Sequence, residues 1–295
     1  MTDAPVIIEA ALNGITSRRH NQHVPVTPEE LAAEGIACID AGATVVHTHS
    51  QDPTAPGTAR TEEYARCYRA ILAERPGTIL YPTTGIGATV ADRYAHVGML
   101  ASEGLIRATF VDPGSVNLGG TGSDGLPPPL EYVYANTFAD IRYAFDLSDQ
   151  HRLGPSIAVF EPGFLQVVLA YQEAGALPPG TLVKLYFAAG GYLTRGRPLW
   201  GVPPISEGLD LYLAMLAGTD IPWAVAVVGG DAFASPVTRL ALERGGHIRV
   251  GLEDDPDATS NRALVEQAAA LCAEVGRPVA TLAETVDLLA LAPIR

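Results

Sequence analysis

Short apolar runs alternate along this chain with longer stretches whose apolar positions recur at helical spacing, and the alternation repeats eight times. The short runs predict strands at Val6–Leu12, in a run after Ala43 that carries His47 and His49, and at Thr78–Thr83, Ile106–Val111, Ser156–Phe160, Leu182–Ala189, Trp223–Val228 and His247–Leu252. Helical periodicity predicts helices at Thr27–Asp40, Thr61–Glu74, Val90–Ser102, from beyond the Asp112–Pro129 loop to Ser148, and at Gly163–Ala174, Glu207–Leu216, Pro236–Arg244 and Asn261–Val275. A tail helix within Pro278–Leu291 has its own start signal at Thr281. The first helix opens with Thr27 as N-cap, Pro28 in the first turn and Glu30 completing a capping box. No composition break marks a linker. Eight strand–helix units of this size point to an α/β chain folded as a (β/α)8 TIM barrel, one domain over 1–295 with a C-terminal helical tail. A doubly wound open sheet is the alternative, but no G-x-G-x-x-G follows the first strand.

Composition narrows the function. The hydrophobic fraction of 47% is enough for a large core, and a net charge of −14 disfavours nucleic-acid partners. No apolar run reaches the roughly 18–20 residues that span a membrane. Met1–Pro5 lacks a basic segment leading into an apolar one, so a cytoplasmic enzyme is expected. The three cysteines, Cys38, Cys67 and Cys272, are too far apart to suggest a disulfide framework or a cysteine zinc site.

Barrel active sites lie at the C-terminal ends of the strands. Asn13, His47, His49, Thr83, Thr84, Thr109, Glu161, Arg249, Glu253 and Asp254 are all expected there. His47 and His49, two apart on a strand, share a face and converge on one point. Such a pair also occurs as ordinary core histidine. Glu253, at the end of the last strand, would add a carboxylate and complete a catalytic zinc shell with an open position. Glu253 and Asp254 also read as a solvated acidic turn. Arg249 shares the inward face of Glu253 and needs carboxylate partners, which Glu253, Asp254 or Glu161 can supply. Thr83, Thr84 and Gly85 suit a substrate carboxylate or simply a strand-to-helix turn. Gly229 and Gly230 stand where barrels often bind phosphate. Tyr192 and Trp200, in the loop Gly190–Pro204, are expected to make an apolar rim.

Ala10-Ala11-Leu12-Asn13-Gly14, Val24 to Glu30, Ala41-Gly42-Ala43 with His47-x-His49, Thr83-Thr84-Gly85, the run Gly245 to Asp254, Asn261, and Gly276 to Thr281 occur in that order. Together they resemble the β-keto acid cleavage enzymes, typified by 3-keto-5-aminohexanoate cleavage enzyme, over nearly the whole chain. The resemblance implies a barrel, usually a homotetramer, binding Zn2+ or another divalent metal through His47, His49 and Glu253. It implies exchange of a β-keto acid with acetyl-CoA to give acetoacetate and a new acyl-CoA. Asp254 with Arg249 would be the acid/base pair, and Thr83 would help hold the substrate. Thr16 replaces a Glu that serves a substrate amine in the aminohexanoate enzyme, and Gly230 replaces an Arg often seen near the CoA position. The competing expectation is a metal-dependent barrel hydrolase or lyase acting on a small carbonyl acid without CoA. A metal-bearing barrel with a sensory or structural role is the non-catalytic reading.

Overall fold

A computed structural model describes residues 3–191 and 196–293. The elements run β1 (Ile8–Ala11), α1 (Pro28–Asp40), β2 (Val45–Thr48), α2 (Gly57–Glu74), β3 (Ile79–Pro82), α3 (Val90–Ser102), β4 (Ala108–Val111), α4 (Phe138–His151) and β5 (Gly154–Val159). They continue with α5 (Pro162–Glu173), β6 (Leu182–Ala188), α6 (Ser206–Leu216), β7 (Trp223–Val228), α7 (Pro236–Glu243), β8 (His247–Val250), α8 (Asn261–Glu274) and α9 (Leu282–Leu288). The strands pair in parallel in the order β3-β2-β1-β8-β7-β6-β5-β4. The two outermost strands meet where the Arg107 amide donates to the Leu80 carbonyl at 3.3 Å, so the sheet rolls into a nearly closed TIM barrel.

The cause is legible in the strands. Parallel neighbours need a crossover, and helices packed outside bury the strands on both faces. Seven of the eight strands are accordingly buried at every position, and β7 is exposed in part only at Trp223. Polar residues inside such a strand are therefore costly exceptions. Thr27 and Glu30 form the expected capping box, and Thr89 with Asp92 forms another.

Several boundaries differ from expectation: α2 begins at Gly57 rather than Thr61, and β1, β4 and β8 are shorter than their apolar runs. The helix after β4 starts at Phe138, because the capping box of Thr137 and Asp140 sets its first turn. The chain before it runs extended, with Val116 and Tyr134 exchanging backbone bonds of 2.8 and 3.0 Å. The tail helix is shorter than Pro278–Leu291, because residues 278–280 instead pair with Val6 and close the N-terminal end of the barrel. Its start at the Thr281 capping box is as expected. Cys38, Cys67 and Cys272 are buried in α1, α2 and α8, where burial pushes the Cys67 and Cys272 thiols up to about 12 and about 11.

Candidate active site

His47 is inside β2, and His49 follows directly after it. The two rings stand edge to face with centroids 5.0 Å apart. Glu253 reaches them from the turn after β8: its oxygens lie 3.5 Å from His47 Nε2 and 3.3 Å from His49 Nε2. One ligand atom from each of the three lies within 4.8 Å of the others, and all three residues are buried or nearly so. Glu253 Oε2 has no hydrogen-bond partner, an orphaned buried oxygen aimed at the gap between the rings. Two imidazole nitrogens and a carboxylate around such a gap fit a divalent cation, and the donor set suits zinc.

The surroundings prepare both histidines. His47 Nδ1 lies 3.2 Å from the Tyr81 carbonyl, which can only accept, so the proton sits on Nδ1 and Nε2 keeps its lone pair. Burial holds His47 well below its ordinary range and therefore neutral. Asn13 clamps the backbone of His49, accepting from its amide at 2.8 Å and donating to its carbonyl at 3.0 Å. Tyr68 bonds the Thr48 hydroxyl at 2.9 Å, and the Tyr64 hydroxyl accepts from the Ser50 amide at 2.9 Å. The residues around the histidine pair thus anchor β2 to α2.

Glu253 and Asp254 do not continue the strand. β8 ends at Val250, and Gly251 at φ 155° turns the chain inward. A Cβ on Gly251 would lie 1.9 Å from the Ala11 carbonyl oxygen, so only glycine fits. Gly251→Ala is expected to displace the turn, weakening divalent-ion affinity at least about tenfold while the chain stays folded, as titration with a chromophoric chelator would show.

Beneath the trio is a charge network of which the sequence predicts only the Arg249–carboxylate part. Arg249 donates to both oxygens of Asp254 at 2.9 and 3.1 Å, approaches Glu253 at 2.8 Å, and donates to Glu9 at 2.9 Å and to the Tyr81 hydroxyl at 3.2 Å. Lys184 donates to that hydroxyl at 2.7 Å and to Glu9 at 3.4 Å, while Tyr81 itself donates to Glu9. Burial works to raise the carboxyls. Arg249, His49 and His47 outweigh it at Glu253, and Lys184 and Arg249 outweigh it at Glu9, so both are held low. At Asp254 burial prevails, helped by the Glu253 charge, and raises the group to about 6 against the pull of Arg249. Glu9, Tyr81 and Lys184 were missed in sequence. The available signal was a charged residue in the middle of an otherwise apolar strand.

The trio opens into a cavity of about 960 Å³ at the C-terminal end of the barrel. Asn13, Thr83, Thr84 and Arg249 line it, together with Phe110, Asp112, Ser156, Lys184 and Tyr186. Other expectations are corrected. Thr109 is fully buried and does not line the cavity, because strand alternation turns its neighbour Phe110 inward instead. Glu161 is not part of the cluster: its Oε1 accepts from the Gly201 amide at 2.8 Å. Gly85 cannot offer its amide to a substrate, since that amide donates to the Arg93 carbonyl at 3.0 Å and its Cα packs on the Arg60 guanidinium. Gly229 donates to the Asp254 carbonyl at 2.7 Å and abuts Gly190; neither Gly229 nor Gly230 lines the cavity. Trp200 is buried behind Phe160, and Tyr192 is outside the described residues. The apolar rim is made by Ile15, Ile86, Leu130 and Tyr132. Asp254 also stays off the cavity wall, with both oxygens turned onto Arg249.

A family profile described as beta-keto acid cleavage enzyme matches residues 5–291. The chain is 31% identical over 296 residues to 3-oxoadipate:acetyl-CoA acetyltransferase of Cupriavidus necator, covering 97% of this chain and 95% of that one. It is 29% identical to 3-keto-5-aminohexanoate cleavage enzyme of Fusobacterium nucleatum, covering 97% and 98%. Among solved structures, a ternary complex of ObcA with a C4-CoA adduct and oxalate superposes with a TM-score of 0.66 at 17% identity, over 91% of this chain and 68% of that one. That likeness concerns the fold.

Proposed function

The chain belongs to the beta-keto acid cleavage enzyme family, and from that premise we propose that it exchanges a β-keto acid with acetyl-CoA, yielding acetoacetate and a new acyl-CoA. The observation that carries this reading is the convergence of His47, His49 and Glu253 at the mouth of the barrel. The names of the relatives, with acetyl-CoA as co-substrate in one of them, support it. His47, His49 and Glu253 would hold the metal, zinc by donor type. A divalent cation bound there supplies polarisation of the keto oxygen and a positive charge for the oxyanion that develops when the C–C bond is made or broken.

The chain's own residues do the rest. Asp254, raised to about 6, would take and return the proton on the carbon between the keto and carboxylate groups once it turns from Arg249 toward the cavity, whose wall it does not line in this arrangement. Both its oxygens face Arg249, so that transfer requires one of the two hydrogen bonds to open. Arg249 holds the carboxylates in register, and the Thr83 hydroxyl orients the substrate beside the histidines. Ile15, Ile86, Leu130 and Tyr132 shield the entrance from water.

The test is direct. Metal-loaded enzyme given a panel of β-keto acids is expected to form acetoacetate only when acetyl-CoA is present, with a matching acyl-CoA. Release of a free acid without acetyl-CoA would replace this reading by a hydrolytic one.

A further inference from the structure

We propose that the floor of the cavity is a carboxylate subsite built from Lys184 and Ser156, and that the preferred substrates are β-keto acids bearing a second carboxylate remote from the reacting carbons. The proposal rests on the metal-site reading above for the position of the reacting end.

Lys184 is the one lysine in 295 residues, and it stands in the middle of the apolar strand β6 with 2% of its surface exposed. Burying an ammonium is costly unless its three donors are used. Three Arg or Lys cations line the cavity: Arg18, Lys184 and Arg249. Every N–H of Arg249 is already directed to Asp254, Glu253, Glu9 or Tyr81. Arg18 is half-exposed at the mouth and is committed to Glu30 and the Val24 carbonyl. Lys184 reaches only Tyr81 and Glu9, which leaves one N–H without a partner among the described residues. Glu9 does not neutralise it alone, because the same oxygen also receives Arg249 and Tyr81.

Ser156 supplies the second, independent observation. It is 4% exposed and lines the same cavity, and its hydroxyl makes no hydrogen bond of good geometry, although it lies near enough to the Tyr81 hydroxyl to act on it. Its strand, β5, pairs with β6 so that Ala158 is opposite Lys184, and Ser156 is two residues earlier on the same inward face. Two side chains with a donor to spare, one of them charged, therefore line neighbouring strands of one cavity wall. Lys184 starts on β6, across the barrel from β2, but its ammonium reaches over to Tyr81 and Glu9 on the strands flanking β2, so only a short carbon chain separates a keto group at His47 and His49 from it. Phe110 and Tyr186 between them offer apolar surface to the connecting methylenes. The nearby acid, Asp112, accepts a hydrogen bond from Tyr134, and burial raises it toward its neutral form.

A six-carbon 3-oxo dicarboxylate and the 3-oxo monoacid of the same length discriminate the idea. The full-length enzyme is expected to favour the diacid roughly 10- to 100-fold in kcat/KM, the scale of a charge-assisted hydrogen bond. Lys184→Met and the one-atom change Ser156→Ala are both expected to erode that preference through KM for the keto acid, with KM for acetyl-CoA unchanged. Calorimetric binding of adipate against hexanoate reads the same preference without turnover, so loss of the exchange reaction and loss of the subsite are separable outcomes. Equal use and equal binding of mono- and diacid, or an unchanged preference in Ser156→Ala, would overturn the proposal. So would a keto acid adduct trapped by borohydride reduction and mapped by peptide mass to Lys184 rather than to the α-amine, since an amine consumed in an imine holds no carboxylate.

Discussion

Replacing Glu253 by glutamine is expected to strip the divalent ion from the protein and lower turnover by at least roughly 1000-fold. The change is nearly isosteric, so the turn at Gly251 keeps its shape, and Arg249 keeps Glu9 and Asp254 as charged partners while losing Glu253. What disappears is the negative charge between His47 Nε2 and His49 Nε2, at 3.5 and 3.3 Å. An amide oxygen is a weak neutral donor, and the amide N–H groups would bond to the imidazole lone pairs that otherwise ligate. A bound cation supplies several kcal/mol of stabilisation to a developing oxyanion, and each ~1.4 kcal/mol is about a factor of ten in rate. Elemental analysis of purified wild type and variant, beside acetoacetate formation, checks the result. A variant that keeps one ion per chain and turnover within tenfold would remove Glu253 from the metal shell.

The second large effect is on stability. Arg249 is 1% exposed and is shared by Glu9, Glu253 and Asp254. Arg249→Met fills much of the same volume but leaves three buried carboxylates facing one another. Removing one partner of a buried ion pair costs about 3–5 kcal/mol, so a loss of at least that size is expected in urea unfolding. Arg249→Lys is expected to recover little, because an ammonium cannot bridge both Asp254 oxygens while also reaching Glu9. The pH dependence has a definite sign. Asp254 is raised to about 6 even with Arg249 present, so its ionisation opposes folding as pH rises above its unfolded value toward 6. Without the guanidinium Glu9 and Glu253 lose one of the influences that hold them low, and Asp254 is raised further. The variant should therefore be closer to wild type at pH 5 than at pH 7. An equal deficit at both values would show that lost packing, rather than uncompensated charge, is responsible.

Much of the fold was legible in the chain because its signals are local. Apolar runs at strand length, capping boxes at Thr27 and Thr281, and Pro28 in a first turn each specify an element without help from elsewhere. The helix after β4 was placed too early because Leu130–Asn136 is apolar enough to suggest a helix, while the Thr137 box that decides the start is only four residues long. Of the candidate site, the histidine pair was readable from period two. A place at the C-terminal end of a strand was not enough at Thr109, whose neighbour Phe110 takes the cavity face, or at Glu161, whose carboxylate accepts from Gly201.

By itself the sequence determined an eight-fold β/α rhythm, the family, and the residue types able to hold a metal. It could do so because periodicity, caps and an H-x-H on a strand are properties of neighbours along the chain. Only the tertiary structure decided that Glu253 closes on the two histidines, since that depends on a turn at Gly251 and on β8 lying beside β1. Only it decided that Glu9, Tyr81, Lys184 and Arg249, 240 residues apart at their extremes, share one buried network. Barrel closure brings the inward faces of distant strands within hydrogen-bond reach, and no local pattern encodes which of them will meet.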